Sequence, residues 1–253
     1  MRTPTMLIVA HPDDETLGGA HVLLRESRDV RILHTTDGAP AEARFWEQAG
    51  ATTREGYALA RRQELLAALE VFGIGPDQQA TLPFGDRELP RHLVALTEHI
   101  RQQLILHRPH VVYTHPFEGG HPDHDSTTYA VHRAVALLKA AGQPPPELRE
   151  FLGYHARNGE FYCGSFLQDT PVETIVLSDA EVDRKRRALD CHRSQQRVIQ
   201  RFPLNPQRWR RAPAYSFDRR PHEGPLYYEI REMGYRFEDF ACLVREADAA
   251  LTC

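Results

Sequence analysis

Four cysteines in 253 residues, at positions 163, 191, 242 and 253, make no close pair. This sparsity speaks against a zinc knuckle and a dense disulfide framework, and it makes a reducing cytoplasm the expected setting. Long hydrophobic runs are lacking too: no stretch approaches the length that spans a bilayer. Met1-Arg2-Thr3-Pro4-Thr5 leads straight into a short apolar segment, without the longer apolar run and cleavage site of a secretory leader. Nor is there an excess of positive charge. Lys plus Arg number 31 against 35 Asp plus Glu, a formal net charge of −4, so no global basic field draws the chain to nucleic acid. Neither Gly-x-Gly-x-x-Gly nor a phosphate-loop Gly-Lys-Ser/Thr occurs, which argues against nicotinamide and nucleoside-phosphate enzymes. A small neutral or mixed-charge substrate fits this composition; oligomeric state is not legible in it.

What the chain does carry is a pair of polar clusters. His11-Pro12-Asp13-Asp14-Glu15 follows an apolar run, and about a hundred residues later His121-Pro122-Asp123-His124 follows another. A divalent ion needs imidazole and carboxylate ligands on rigid turns; His11 and Asp14 offer one of each, and His124 closes the set from the second cluster. Asp13 and His121, beside these ligands, are left free to move protons, the arrangement of a hydrolase. The same strings also read as a helix cap followed by an ordinary turn. Their occurrence after two successive strands favours the metal reading.

Strand-like and helix-like segments alternate. Strands are expected at 6–10, 30–35, 79–82 and 111–114, and helices at 18–27, 58–72, 93–106 and 124–141. The succession predicts an α/β fold with a Rossmann-like, doubly wound and mostly parallel sheet, built as one domain over 1–253. The core would occupy 1–200, and 201–253 a more irregular C-terminal part. In such sheets ligands bind beyond the carboxyl ends of the strands, where both polar clusters fall.

These residues resemble the signature of the PIG-L or LmbE-like family of zinc-dependent N-deacetylases. Arg61 and Glu64 in Arg61-Arg62-Gln63-Glu64-Leu65, Leu82-Pro83-Phe84-Gly85-Asp86, and Lys185 with His192-Arg193-Ser194-Gln195 extend the likeness over roughly the first 200 residues. The resemblance implies that His11, Asp14 and His124 hold Zn2+, with open positions for water and a substrate carbonyl. Asp13 would be the general base, and His121 would stabilise the tetrahedral oxyanion and protonate the leaving amine, oriented by Asp123. It further implies hydrolysis of the acetamide of a small N-acetylated sugar conjugate, usually an N-acetylglucosamine unit. Arg61 and Asp86 are the candidates for binding its hydroxyls, with Arg62 as an alternative to Arg61 and a turn role open to Asp86. Glu15 reads as a helix cap.

Some features depart from that pattern. Where some family members place a tyrosine before the second metal motif, this chain has Phe117-Glu118-Gly119-Gly120. An oxyanion role for that tyrosine would pass here to His121 or to another loop. The loop after the second strand, with Phe45-Trp46, reads as a wall or lid over the pocket, or as a surface loop with two packing aromatics. A strand is expected at 172–177 and a long helix at 179–200, with Asp183-Arg184-Lys185-Arg186-Arg187 on a solvated face or, more sharply, facing an anionic substrate. Residues 201–225, rich in Arg, Pro and aromatics, read as a long ordered loop. His34, His115 and His155 could form a second metal site, His115 foremost. The alternatives kept open are a non-sugar N-acyl amide hydrolase, a metal-containing sugar-binding protein and a metal other than zinc.

Overall fold

Five buried residues, Thr5–Val9, form strand β1, which has no face toward solvent, as befits a strand covered by helices on both sides. The computed structural model describes residues 5–252, leaving aside the side chain at position 48; the leader reading at 1–4 and Cys253 lie outside the described residues. Two short helices follow, α1 (Asp14–Leu17) and α2 (Ala20–Arg25), where one helix was expected over 18–27. The break falls at Gly18 and Gly19. A Cβ there would collide with the Phe151 ring at the first position, and with the Glu15 carbonyl and Leu7 at the second, so the chain must press directly onto its neighbours.

Strand β2 (Val30–His34) comes next, then α3 (Ala43–Gln48) and α4 (Arg54–Val71). Thr53 Oγ1 accepts from Gly56 N and starts α4 ahead of its leucine stripe. The following elements, β3 (Gln79–Thr81), α5 (Leu93–His107), β4 (Val111–Thr114) and α6 (Pro122–Ala140), lie close to the spans their periodicity predicts. β5 (Glu147–Phe151) escaped the sequence reading because its charged residues mask the pattern; Glu150 is in fact fully buried against Arg210. A hairpin of β6 (His155–Arg157) and β7 (Glu160–Tyr162) precedes β8 (Glu173–Ile175) and α7 (Asp179–Cys191).

The helix expected over 179–200 stops at Cys191, and a shorter α8 (Gln196–Ile199) resumes after the bend. At the bend Ser194 donates through N and Oγ to Glu64 of α4, at 2.9 and 2.7 Å, tertiary bonds that an unbroken helix would forgo. Lys185 is also not on a solvated face. It is buried, with Nζ donating to the carbonyls of Leu17 and Leu204, whereas Arg186 and Arg187 stay exposed beside Asp183. Within the segment read as irregular lies a strand, β9 (Gln207–Arg211), followed by α9 (Tyr227–Ile230) and α10 (Phe237–Leu251).

The main sheet runs β3-β2-β1-β4-β5-β9-β8, with β3 through β5 parallel, β9 antiparallel to β5, and β8 antiparallel to β9. This is a mostly parallel α/β sheet, as the sequence pattern indicated. Alternation along β1 sends Leu7 and Val9 into one apolar layer with α2, α4 and α7, and Met6 and Ile8 into the other with α5, α6 and α10. Chain order reverses between β1 and β4, and the crevice above that switch receives the loops carrying both polar clusters.

Two buried histidines make the fold acid-sensitive. His21 and His192 have both ring nitrogens without a hydrogen-bond partner, and burial pulls each down to about 4. Above about 6.5 they are neutral folded or unfolded. As pH falls from there toward 4 only the unfolded chain takes up the proton, so stability should drop by up to about 1.4 kcal/mol per pH unit for each. Urea unfolding at pH 7 and pH 5 measures this; a His21→Leu chain should show a shallower dependence, and an identical one would exclude His21 as a source.

Candidate metal centre

His11 lies on the turn leaving β1, and His124 on the first turn of α6, whose N-terminus is capped by His121. His11 Nδ1 is 3.3 Å from Asp14 Oδ2 and 3.2 Å from His124 Nε2, and His124 Nε2 is 3.4 Å from Asp14 Oδ2. The three atoms form a nearly equilateral triangle. Ligand atoms about 2.0–2.1 Å from a tetrahedral ion stand about 3.3–3.4 Å from one another, so these donors match three corners and leave the fourth open. Asp14 is fixed by accepting from His11 N at 2.8 Å. Burial alone would raise its pKa, but His124, His115 and His11 outweigh this and hold it well below the usual carboxylate range, so it presents an anionic oxygen. Two imidazoles and a carboxylate suit zinc and several other divalent ions. The residues therefore fit a metal.

Asp13 has φ 128°, a left-handed backbone that a side chain rarely adopts. Two neighbours hold it. Glu15 Oε2 accepts from Asp13 N at 3.0 Å, Arg61 Nη2 donates to Asp13 Oδ2 at 3.1 Å and to the Pro12 carbonyl at 2.6 Å, and Arg61 Nη1 donates to the Gly38 carbonyl. Burial, with repulsion from Asp14 and Glu15 and partial relief from Arg61 and His11, pushes the Asp13 carboxyl up to about 8. Arg61, expected to meet substrate hydroxyls, is instead buried behind Asp13 with both terminal nitrogens engaged, while Arg62 points to solvent. Glu15 does more than cap a helix. Fully buried, it also accepts from Thr16 Oγ1 and lies 3.0 Å from His34 Nε2, and although burial opposes it, His34 and His192 bring it down to about 2. Only its place after Asp14 hinted at this role.

The structure corrects the expected partner of Asp123. Its Oδ2 is 3.2 Å from His11 Nε2 but 3.9 Å from His121 Nδ1, too long for a hydrogen bond. Both oxygens also accept backbone amides, from Arg87 and Leu89. Asp123 thus orients His11, the carboxylate–imidazole pairing that second partners of metal histidines provide. His121 Nδ1 accepts from Asp123 N at 3.2 Å, which leaves its Nε2 as the N–H facing the cleft. Asp86 stands opposite, with Oδ1 3.3 Å from His11 Nε2 and 3.6 Å from His121 Nε2. Burial would raise Asp86, yet His11 and His121 hold it well below its ordinary range.

Other expectations resolve locally. His115 Nε2 accepts from Ala10 N at 2.9 Å, and its ring stacks on His124 with centroids 3.9 Å apart, so it shelves the His124 ring with that nitrogen already engaged. His34 and His155 face Glu15 and Glu118 respectively and do not join His115. Phe45 lies under the guanidinium of Arg87, which also pairs with Glu42 at 2.8 Å, so α3 is fastened to the turn bearing Asp86. The Phe117–Gly120 loop is gathered by Asp125, which accepts from Glu118 N and Gly119 N. Beside it Tyr154, from the link after β5, sets its ring edge-on to His124 with centroids 5.5 Å apart. No sequence signal marked Asp125 or Tyr154.

Comparison with known proteins gives a match of residues 6–135 to the family model PIG-L: GlcNAc-PI de-N-acetylase. The chain is similar to a Bacillus subtilis protein named as a probable N-acetyl-alpha-D-glucosaminyl L-malate deacetylase, 30% identical over 203 residues covering 77% of this chain and 84% of that one. It is similar also to the 1D-myo-inositol 2-acetamido-2-deoxy-alpha-D-glucopyranoside deacetylase of Mycolicibacterium smegmatis, 34% identical over 248 residues covering 76% and 80%. Among solved structures, the A40926 pseudoaglycone deacetylase shares the fold at a TM-score of 0.62 and 22% identity, over 85% of this chain and 100% of that one.

Proposed function

Because this chain belongs to the PIG-L (GlcNAc-PI de-N-acetylase) family, we propose that it is a metal-dependent amide hydrolase acting on an N-acetylglucosamine-type conjugate, yielding acetate and a free amine. The observation that carries this reading is the donor triangle of His11, Asp14 and His124 with Asp13 and His121 on its rim. A divalent ion there, zinc in the first instance, supplies Lewis-acid polarisation of the acetamide carbonyl and acidifies water.

The chain's own groups do the rest. A cation held by the triangle would offset the burial that raises Asp13 and favour its ionised form; Asp13, held in place by Arg61 and Glu15, then takes a proton from the attacking water as the new C–O bond forms. His121 Nε2–H donates to the carbonyl oxygen as negative charge gathers on it. When the C–N bond breaks, the leaving nitrogen gains the proton that Asp13 took from the water, a transfer the family resemblance implied for His121, and Asp13 returns to its starting state. Asp86, on the far side of His121, is placed in this reading to accept from a sugar hydroxyl. Arg61 acts on the substrate only through Asp13. The chain works as a single domain over 1–253, and a cytoplasmic setting is proposed with it; among the described residues no helix is long and apolar enough to cross a membrane.

Zinc-loaded protein incubated with a panel of N-acetylglucosamine conjugates should release primary amine, with Asp13→Asn as the blank. Pretreatment with a chelator should abolish release, and re-addition of zinc, cobalt or manganese should restore it and rank the metals. Amine from simple N-acyl amides but from no sugar conjugate would overturn the sugar assignment. Release that survives chelation would overturn the metal's part.

A further inference from the structure

From ligand His124 a ladder of rings leads outward. Tyr154 stands edge-on to His124, Phe161 of β7 lies against Tyr154 with centroids 5.0 Å apart, and the guanidinium of Arg201 covers Phe161 at 3.8 Å. Phe202 and Tyr227 brace it, each with its ring nearly perpendicular to both Tyr154 and Phe161. Four separate stretches of chain converge here: the β5–β6 link, β7, the turn after α8, and the start of α9. Tyr154, Phe161 and Phe202 keep part of their surface open, and Arg201 is exposed. The ladder therefore runs from the buried donor triangle to solvent.

Arg201 is held by a ring face and a phenol rather than by an ion pair. Arg210 pairs with Glu150, Arg220 with Glu229 and Arg61 with Asp13, but among the described residues Arg201 meets no carboxylate. Its Nη1 donates to Tyr227 Oη at 2.9 Å, and its guanidinium carbon lies 3.8 Å over the Phe161 ring. A stacked, tethered arginine presents its remaining N–H edge ready-made for a two-oxygen anion, with little rotamer freedom left to lose.

We infer that Tyr154, Phe161 and Arg201 form a subsite for the second unit of the conjugate, and that this unit carries an acidic group, a carboxylate or a phosphate, received by Arg201. This rests on the deacetylase reading. With the acetamide at the donor triangle, the rest of the substrate must leave along an open wall; ring faces suit the apolar side of a sugar or linker. The arginine then meets what lies two ring steps further out.

The test uses three probes: the methyl glycoside of N-acetylglucosamine, its glyceric acid glycoside, and its glycerol phosphate glycoside. Calorimetry on zinc-loaded Asp13→Asn protein gives affinities, and amine release by the unmutated protein gives KM. One or both acidic probes should bind about five- to tenfold tighter than the methyl glycoside, and which of them does so distinguishes carboxylate from phosphate. Arg201→Gln should erase the difference, Tyr227→Phe should reduce it, and added salt should shrink it. Equal affinity for all three probes, no affinity for any, or a preference that survives Arg201→Gln would overturn the subsite. An acid preference lost in Arg201→Gln, with no amine released by the unmutated protein, would uphold the subsite and sink the deacetylase reading. Amine released from all three at one KM does the reverse.

Discussion

Asp13→Asn is expected to bind its divalent ion at the level of the unmutated protein and to lose about 10²- to 10⁴-fold in kcat, the range that a positioned general base contributes. The substitution is close to isosteric. Asn Oδ1 can still accept from Arg61, and the backbone amide at position 13 still donates to Glu15. Asn also tolerates a positive φ better than most residues, so the 128° turn should survive. None of the three atoms of the donor triangle belongs to Asp13. What disappears is the carboxylate that takes the proton. Metal per chain, measured by elemental analysis after dialysis, should stay the same, and KM should move little. An Asp13→Asn protein retaining most of its kcat would assign proton transfer to another residue.

The residue types needed for the site were legible because metal chemistry restricts them. Histidine and carboxylate after two parallel strands had one crevice to meet in, and the strand order brings β1 and β4 together there. What the chain order could not convey was which atom faces which. Asp123 sits two residues from His121 and 112 from His11, yet its carboxylate reaches the distant ring, because the first turn of α6 directs it across the crevice. Arg61 stood out only through the resemblance of its Arg-x-x-Glu helix; its engagement with Pro12, Asp13 and Gly38 depends on how α4 packs. β5 and β9 were missed for one physical reason. Glu150 and Arg210 lie opposite one another on these antiparallel strands and are buried as a pair, with Tyr215 Oη donating to the same carboxylate, so charges stand where alternation would call for apolar residues.

Removing a ligand should be the most damaging change of all. His11→Ala deletes one corner of the triangle and leaves the Asp123 and Asp86 carboxylates, now facing Nε2 at 3.2 and 3.3 Å, without the imidazole between them. Metal affinity should fall by more than the roughly 10- to 100-fold that changes to supporting residues cost, and activity should fall with it. Asp123→Asn is the informative companion. Acting on His11, Asp123 makes that ring a better ligand by accepting its Nε2–H, so the Asn variant should lose about 10- to 100-fold in metal affinity and regain much of its kcat when metal is supplied in excess. A carboxylate that served His121 would give the opposite split, with affinity intact and kcat low at any metal concentration. Competition titrations against a chelator of known affinity, paired with kcat at saturating metal, separate the two. The 3.9 Å gap to His121 Nδ1 beside the 3.2 Å approach to His11 Nε2 favours the first outcome.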